Sequence, residues 1–155
     1  MNTLVVYDSK FGNTERIAQV IAERLQRHGP VELLTVELAP RTMPRSLRLL
    51  VVGGPTQGHG ASPALRGWLE GLERAHGVRA GAFDTRFAKQ RWLTGSAARV
   101  IARRLDRIGF QLVGDPESFF VAHTEGPLLD GEIDRAAAWA DTLANQLITE
   151  ATFLR

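Results

Sequence analysis

Apolar runs of strand length alternate with helical stripes along the whole 155-residue chain, and this alternation limits the fold more than any other feature. Thr3 to Tyr7 (TLVVY) is a short, β-branched run of the kind covered on both faces of a sheet. From Asn13 the period changes: Ile17, Val20, Ile21 and Leu25 share one helical stripe, which His28-Gly29-Pro30 stops. Val31 to Leu38 (VELLTVEL) reads as a second strand. Pro40 and Pro44 then leave room for a loop with at most one turn. Leu47 to Val52 (LRLLVV) is a third strand and runs into Gly53-Gly54-Pro55. Ser62-Pro63 supplies a helix N-cap and a proline at the first helical position, and Leu65, Trp68, Leu69 and Leu72 continue that helix. Val78 to Phe83 (VRAGAF) is a fourth strand. Ser96 caps a helix with the stripe Ala97, Val100, Ile101, Leu105 and Ile108, ended by Gly109. A fifth strand runs through Gln111 to Val113, through Ser118 to Ala122, or through both, with Asp115-Pro116 bending the chain between them. The last helix starts near Asp130 and carries Ile133, Ala137, Ala140, Leu143 and Leu147.

Alternation of this kind with short connections predicts an α/β fold: one domain over residues 1–155, a doubly wound five-stranded parallel sheet with helices on both faces. A chain of this length buries about 70% of the surface its unfolded form exposes, so the core needs no covalent staples. The absence of cysteine excludes a disulfide scaffold, a thiolate metal site and a thiol nucleophile. No residues are assigned to a metal. Met1 to Tyr7 reads as a strand and not as a secretory leader, and no apolar run approaches membrane-spanning length. The expectation is a cytoplasmic protein with no membrane span.

In such sheets ligands sit at the carboxyl ends of the strands. Three segments fall there. Ser9, Lys10, Phe11, Gly12, Asn13 and Thr14 lie between the first strand and the amino end of the first helix, where unpaired N–H groups and the helix dipole favour an anion. Gly12 lets the backbone approach a ligand, the Ser and Thr hydroxyls and the Asn amide can donate, and Lys10 adds charge. The same stretch also reads as a plain strand-to-helix turn with a capping Thr or Asn. It is neither a P-loop nor G-x-G-x-x-G. Pro55, Thr56, Gln57, Gly58, His59 and Gly60 follow the third strand, and Phe83, Asp84, Thr85, Arg86 and Phe87 follow the fourth.

With these three segments in place, the chain resembles the flavodoxin family over nearly its whole length, through "GSAARVIARRLDRIGF", "ESFFV" and "GPLLDGEIDRA". The resemblance implies strand order 2-1-3-4-5 and the short-chain form, since no segment of about 20 residues interrupts the fifth-strand region. It implies flavin mononucleotide (FMN), with "SKFGNT" on the phosphate and the second and third segments around the ring. In the family the second segment usually carries a tryptophan; here Gln57 stands in its place. The third commonly carries a tyrosine, for which Phe87 or Trp92 would have to serve. By the same analogy the Gly58 peptide turns so that its carbonyl accepts from flavin N5–H. His59 reads either as a proton donor near N5 or as a solvated loop histidine, and no catalytic residue is assigned.

Charge is distributed unevenly along the chain. Between Arg79 and Arg107 stand Arg79, Arg86, Lys89, Arg91, Arg99, Arg103, Arg104 and Arg107 against Asp84 and Asp106, whereas the segment after Phe110 is acidic. Flavodoxin carriers are acidic, and this chain has a formal net charge of +2. The basic segment reads as solvated helix faces or as a docking surface for an acidic redox partner. Without aromatic residues interleaved in a basic strand, nucleic-acid binding is not expected. The expected function is FMN-dependent electron transfer, with an FMN-dependent NAD(P)H:quinone-type reductase as the alternative. A third class is a binding module that has kept the fold and lost the cofactor.

Overall fold

The computed structural model describes residues 2–89 and 91–154, without the side chains of Arg91 and Trp92. Strand β1 (Asn2–Tyr7) leads into helix α1 (Asn13–Leu25), followed by β2 (Val31–Thr35) and β3 (Leu47–Pro55). Helix α2 (Pro63–Gly71), β4 (Arg79–Phe87), a single helical turn α3 (Arg91–Thr94) and α4 (Ala97–Arg107) come next. The chain ends with β5 (Gln111–Leu112), β6 (Glu117–Val121) and the long α5 (Glu132–Phe153).

All strands pair in parallel, in the order β2-β1-β3-β4-β5, and β6 also pairs with β4. The expected order therefore holds, with a sixth strand added. The fifth position is filled by two segments in succession along the β4 edge. Gly114, at φ 67°, and Asp115-Pro116 take the chain out of the sheet between them. The second strand stops at Thr35, shorter than its hydropathy predicts, and turns through Val36 to Leu38. The crossover from there to β3 contains no helix, as its prolines require.

Two apolar clusters sandwich the sheet. On one face α1 and α5 cover Val5, Leu49, Val51 and Phe83; on the other α2 and α4 cover Leu4, Val6, Leu50, Val52 and Ala82. Adjacent strand residues thus point to opposite cores, which is why β1 and β3 are continuously apolar. Ser62 and Ser96 cap α2 and α4, accepting from Leu65 N at 3.4 Å and Arg99 N at 3.4 Å. The buried stripe of α5 is Ala136, Trp139, Ala140, Leu143 and Ala144, so the predicted Ile133, Ala137 and Leu147 fall on its partly buried flanks. Small alanines let the helix approach the sheet while Trp139 stacks edge-on with Phe83 and Phe119, centroids 6.0 and 6.1 Å away. Trp68 is buried in the opposite core, its indole donating to Pro40 O at 3.2 Å.

Helices α1 and α5 are tied by Arg24, whose Nε and Nη2 donate to the Asp141 carboxylate at 2.9 and 2.8 Å. That hydrogen bonding, helped by the Arg24 charge, holds the Asp141 carboxyl below its ordinary range.

Candidate cofactor-binding site

A cavity of about 530 Å³ opens at the carboxyl edge of the sheet, where β1, β3, β4 and β6 all end. Such a volume lies within the usual range for small-ligand sites. From the first segment Ser9, Lys10, Phe11, Asn13 and Thr14 line it; from the second, Pro55, Thr56, Gln57, Gly58 and His59; from the third, Thr85, Arg86 and Phe87. Distant sequence segments meet here because parallel strands deliver every connection to one edge.

The first segment is organised by Ser9. Its Oγ accepts from Gly12 N and Glu15 N, each at 3.2 Å, so the hydroxyl caps α1 from outside the helix. With its lone pairs engaged, the Ser9 proton remains available to donate. Gly12 is the N-cap at φ 92°, and a Cβ there would meet no atom of the described residues within 4 Å. Within the protein itself, then, what Gly12 supplies is the left-handed turn. Thr14, which is buried, shares a 2.8 Å hydroxyl bond with Thr85. Only one of the two hydroxyls donates in that pair, which leaves the other proton for the cavity. Asn13 Nδ2 donates to Glu125 O at 3.2 Å, tying the turn after β6 to the start of α1.

The second segment is a tight two-residue hairpin. Gln57 N donates to Gly60 O at 2.8 Å and Gly60 N to Gln57 O at 3.0 Å. Gly58 and His59 both have positive φ, 53° and 67°, as a type I′ turn requires. Gly60 closes the hairpin outside the cavity lining. His59 is exposed, and its backbone bridges to Gly95, where a Cβ would fall 2.1 Å from His59 O.

The third segment differs from its expected form. Phe83 to Phe87 is not a loop but the last part of β4, because pairing with β3 continues to Thr85 and pairing with β6 to Phe87. Hydropathy obscures this, since Asp84, Thr85 and Arg86 are polar yet buried. Phe83, Thr85 and Phe87 share one face of β4: Phe83 lies wholly inside the α5-side core, while Thr85 and Phe87, nearer the carboxyl end of the strand, line the cavity together with Arg86. Asp84 is also fully buried and stands outside the lining. Its Oδ2 accepts from Ser96 Oγ at 2.7 Å, Ala98 N at 3.0 Å and Thr56 Oγ1 at 3.3 Å. It anchors the start of α4 and the second segment together. Trp92 lies outside the described side chains.

Lys89, expected from its basic segment to lie near the cofactor's edge, also lines the cavity, and several lining residues escape the sequence reading: Leu93, Thr94, Val121 and Thr124. Applying the carboxyl-edge rule to β6 as well would have found Val121 and Thr124. The lining is mixed in character. Hydroxyls, an amide and the α1 amino end contribute to it, and so do Phe11, Phe87 and Leu93, which are 44%, 36% and 48% exposed. An elongated ligand with an anionic end and a flat apolar end fits that lining. Among the described residues no group of three or more His, Cys, Asp or Glu is gathered for a metal ion, and no helix is long and apolar enough to cross a membrane.

The sequence model of the flavodoxin family matches residues 5–144. No curated protein matches the chain. Among solved structures, oxidised flavodoxin 1 from Bacillus cereus superposes with a TM-score of 0.80 at 16% identity, covering 94% of this chain and 98% of that one. A flavodoxin from the domain Archaea gives 0.73 at 16% identity over 95% and 99%. Rubredoxin oxygen:oxidoreductase from the anaerobe Desulfovibrio gigas gives 0.76 at 22% identity, covering 97% of this chain but 37% of that protein. At these identities the likeness is one of fold, and this chain spans little more than a third of that larger molecule's length.

Proposed function

The chain belongs to the flavodoxin family, whose cofactor is FMN, and from that premise we propose that it carries electrons with FMN held in the cavity at the carboxyl edge of the sheet. The observation that carries this reading is the mixed lining, in which hydroxyl and amide donors at the α1 amino end share one cavity with the exposed apolar side chains of Phe11, Phe87 and Leu93. Bound there, FMN supplies the electron chemistry, and the protein supplies position and charge. Ser9, Lys10 and Thr14 hold the phosphate together with the free N–H groups of the first turn of α1. Thr56 to His59 and Thr85 to Phe87 flank the ring system, with Leu93 and Phe11 at the mouth.

The hairpin at Gln57 to Gly60 fixes one wall of the site. Gln57 has no aromatic face to offer the ring, so apolar contact falls to Phe11, Phe87 and Leu93. The same opening supports the second reading, a reductase in which a quinone reaches the cofactor directly. Steady-state NAD(P)H oxidation that needs quinone but no partner protein would decide for it; an electron carrier turns over only with a protein donor or acceptor.

We assign the partner an acidic face. Arg99, Arg103 and Arg107 recur every fourth residue on α4 and are all exposed on one side of it. Three other members of the basic segment are engaged or buried, and Lys89 lines the cavity. Arg79 is paired with Glu150, Arg104 Nε donates to Leu69 O at 3.2 Å, and Arg86 is buried. Arg91's side chain lies outside the described residues. Reversing Arg99, Arg103 and Arg107 to Glu is expected to slow association with an acidic ferredoxin-type partner by about tenfold at low salt, and the difference should vanish near 1 M salt. Stopped-flow electron transfer across ionic strength checks this; a rate indifferent to both salt and the reversals would return the arginines to plain solvation.

A further inference from the structure

Among the described residues lining the cavity, Lys10, Arg86 and Lys89 carry positive charge and none is a carboxylate. The two lysines are exposed, so solvent and salt screen them. Arg86 differs: only 8% of it is exposed. Its Nε donates to Ser118 Oγ at 3.0 Å, its Nη1 donates to Lys89 O at 2.6 Å, and its guanidinium lies 5.1 Å from the Phe120 ring centre. Asp84 Oδ1 lies 4.0 Å from Arg86 Nε, an ion-pair distance, and among the described residues that oxygen accepts no hydrogen bond. The acid of this pair faces the start of α4 and stays out of the cavity lining; the base lines it. The pair is buried, and its basic residue belongs to the cavity lining.

We infer that Arg86 raises the reduction potential of FMN in this cavity by favouring the reduced, more negatively charged cofactor over the oxidised one. The inference rests on the reading of the cavity as the FMN site. When two electrons enter with one proton, the bound cofactor gains one unit of negative charge, and a donor protein or dithionite supplies the electrons. A guanidinium stays protonated throughout, so Arg86 meets that charge without a proton transfer of its own. Buried charge acts with less screening than charge at a surface, and an arginine already fixed by Ser118, Lys89 and Thr94 needs no reorganisation to act. Arg86 also tethers the chain between β4 and α4 through Lys89 O and Thr94 Oγ1, and the test must separate that positioning role from the charge.

The test titrates flavin-free protein with FMN anaerobically, oxidised and then with dithionite present, and takes the ratio of the two dissociation constants. Arg86→Met is expected to lower Kd,ox/Kd,red about tenfold, equivalent to about 30 mV for a two-electron couple. Arg86→Lys keeps the charge and should hold the ratio within about threefold of the unmodified protein, even where both constants rise because the tether is weaker. In the unmodified protein the ratio should stay constant from 0.05 to 1 M salt, on the order of a threefold or greater fall in Debye length. Equal weakening of both states in Arg86→Met, with the ratio unchanged, would leave Arg86 a tether and overturn the inference. So would a ratio that collapses in salt, which would assign the effect to Lys10 and Lys89. Should Arg86→Met fail to fold, the lysine variant and the salt series decide. Unmodified, folded protein that binds FMN in neither state would overturn the site itself, an outcome distinct from the others.

Discussion

Replacing Gly12 with valine is expected to weaken FMN binding about a hundredfold while leaving the protein folded. Gly12 sits at φ 92° as the N-cap of α1, its N–H on Ser9 Oγ and its carbonyl accepting from Arg16 N at 3.0 Å. A β-branched residue at such an angle costs on the order of 1–3 kcal/mol. No atom of the described residues lies within 4 Å of the position a Cβ would take, so the strain can be relieved by turning the segment, at modest loss of stability. The turned segment no longer aims the first N–H groups of α1 and the Ser9 proton at one point. Losing that convergence removes charge-assisted hydrogen bonds worth roughly 1.5–3 kcal/mol each. Fluorescence titration with FMN measures the effect, and circular dichroism confirms the fold. A folded Gly12→Val protein with unchanged affinity would remove the phosphate from this turn.

Asp84→Ala is expected to destabilise the protein by about 3 kcal/mol and to loosen the cofactor cavity with it. The carboxylate is wholly buried and holds Ser96, Ala98 and Thr56 on one oxygen. Thr56 Oγ1 in turn accepts from Ala97 N at 3.0 Å. Removing the acid strands buried donors and takes away the carboxylate 4.0 Å from Arg86 Nε, each a costly change. Because Thr56 opens the second segment and Ser96 follows the third, FMN affinity should fall along with stability. Urea unfolding monitored by circular dichroism measures the first effect. A loss below about 1 kcal/mol would show that the neighbouring groups find other partners.

These two positions also mark what the sequence discloses and what it conceals. Ser9 to Thr14 is legible because its chemistry is local: small polar residues and a glycine lie between an apolar run and a helical stripe. The central strands are legible because burial on both faces leaves them uninterrupted by polar residues. Phe83 to Phe87 is not, since Asp84, Thr85 and Arg86 look like loop residues to any hydropathy window. Their partners are Ser96, Thr14 and Ser118, supplied by distant segments that only the fold brings near. Arg86 consequently reads as surface charge in the sequence and proves to be a buried cation. The α5 stripe is displaced for a related reason: alanine is weakly apolar, and the close approach it allows follows from the helix's seat on the sheet. Thr124 follows a strand that the sequence shows, and only its place at the carboxyl edge goes unread; Leu93 reaches the cavity through the turn before α4, which has no local signature.

The measurement that bears most directly on the account is a parallel titration of the flavin-free protein with FMN and with riboflavin. Both share the ring system; only FMN carries the phosphate. The account expects one FMN per chain and riboflavin bound about a hundredfold more weakly, because the phosphate contacts at the α1 amino end are lost. Equal affinity for the two, or a folded protein that binds neither, would contradict it.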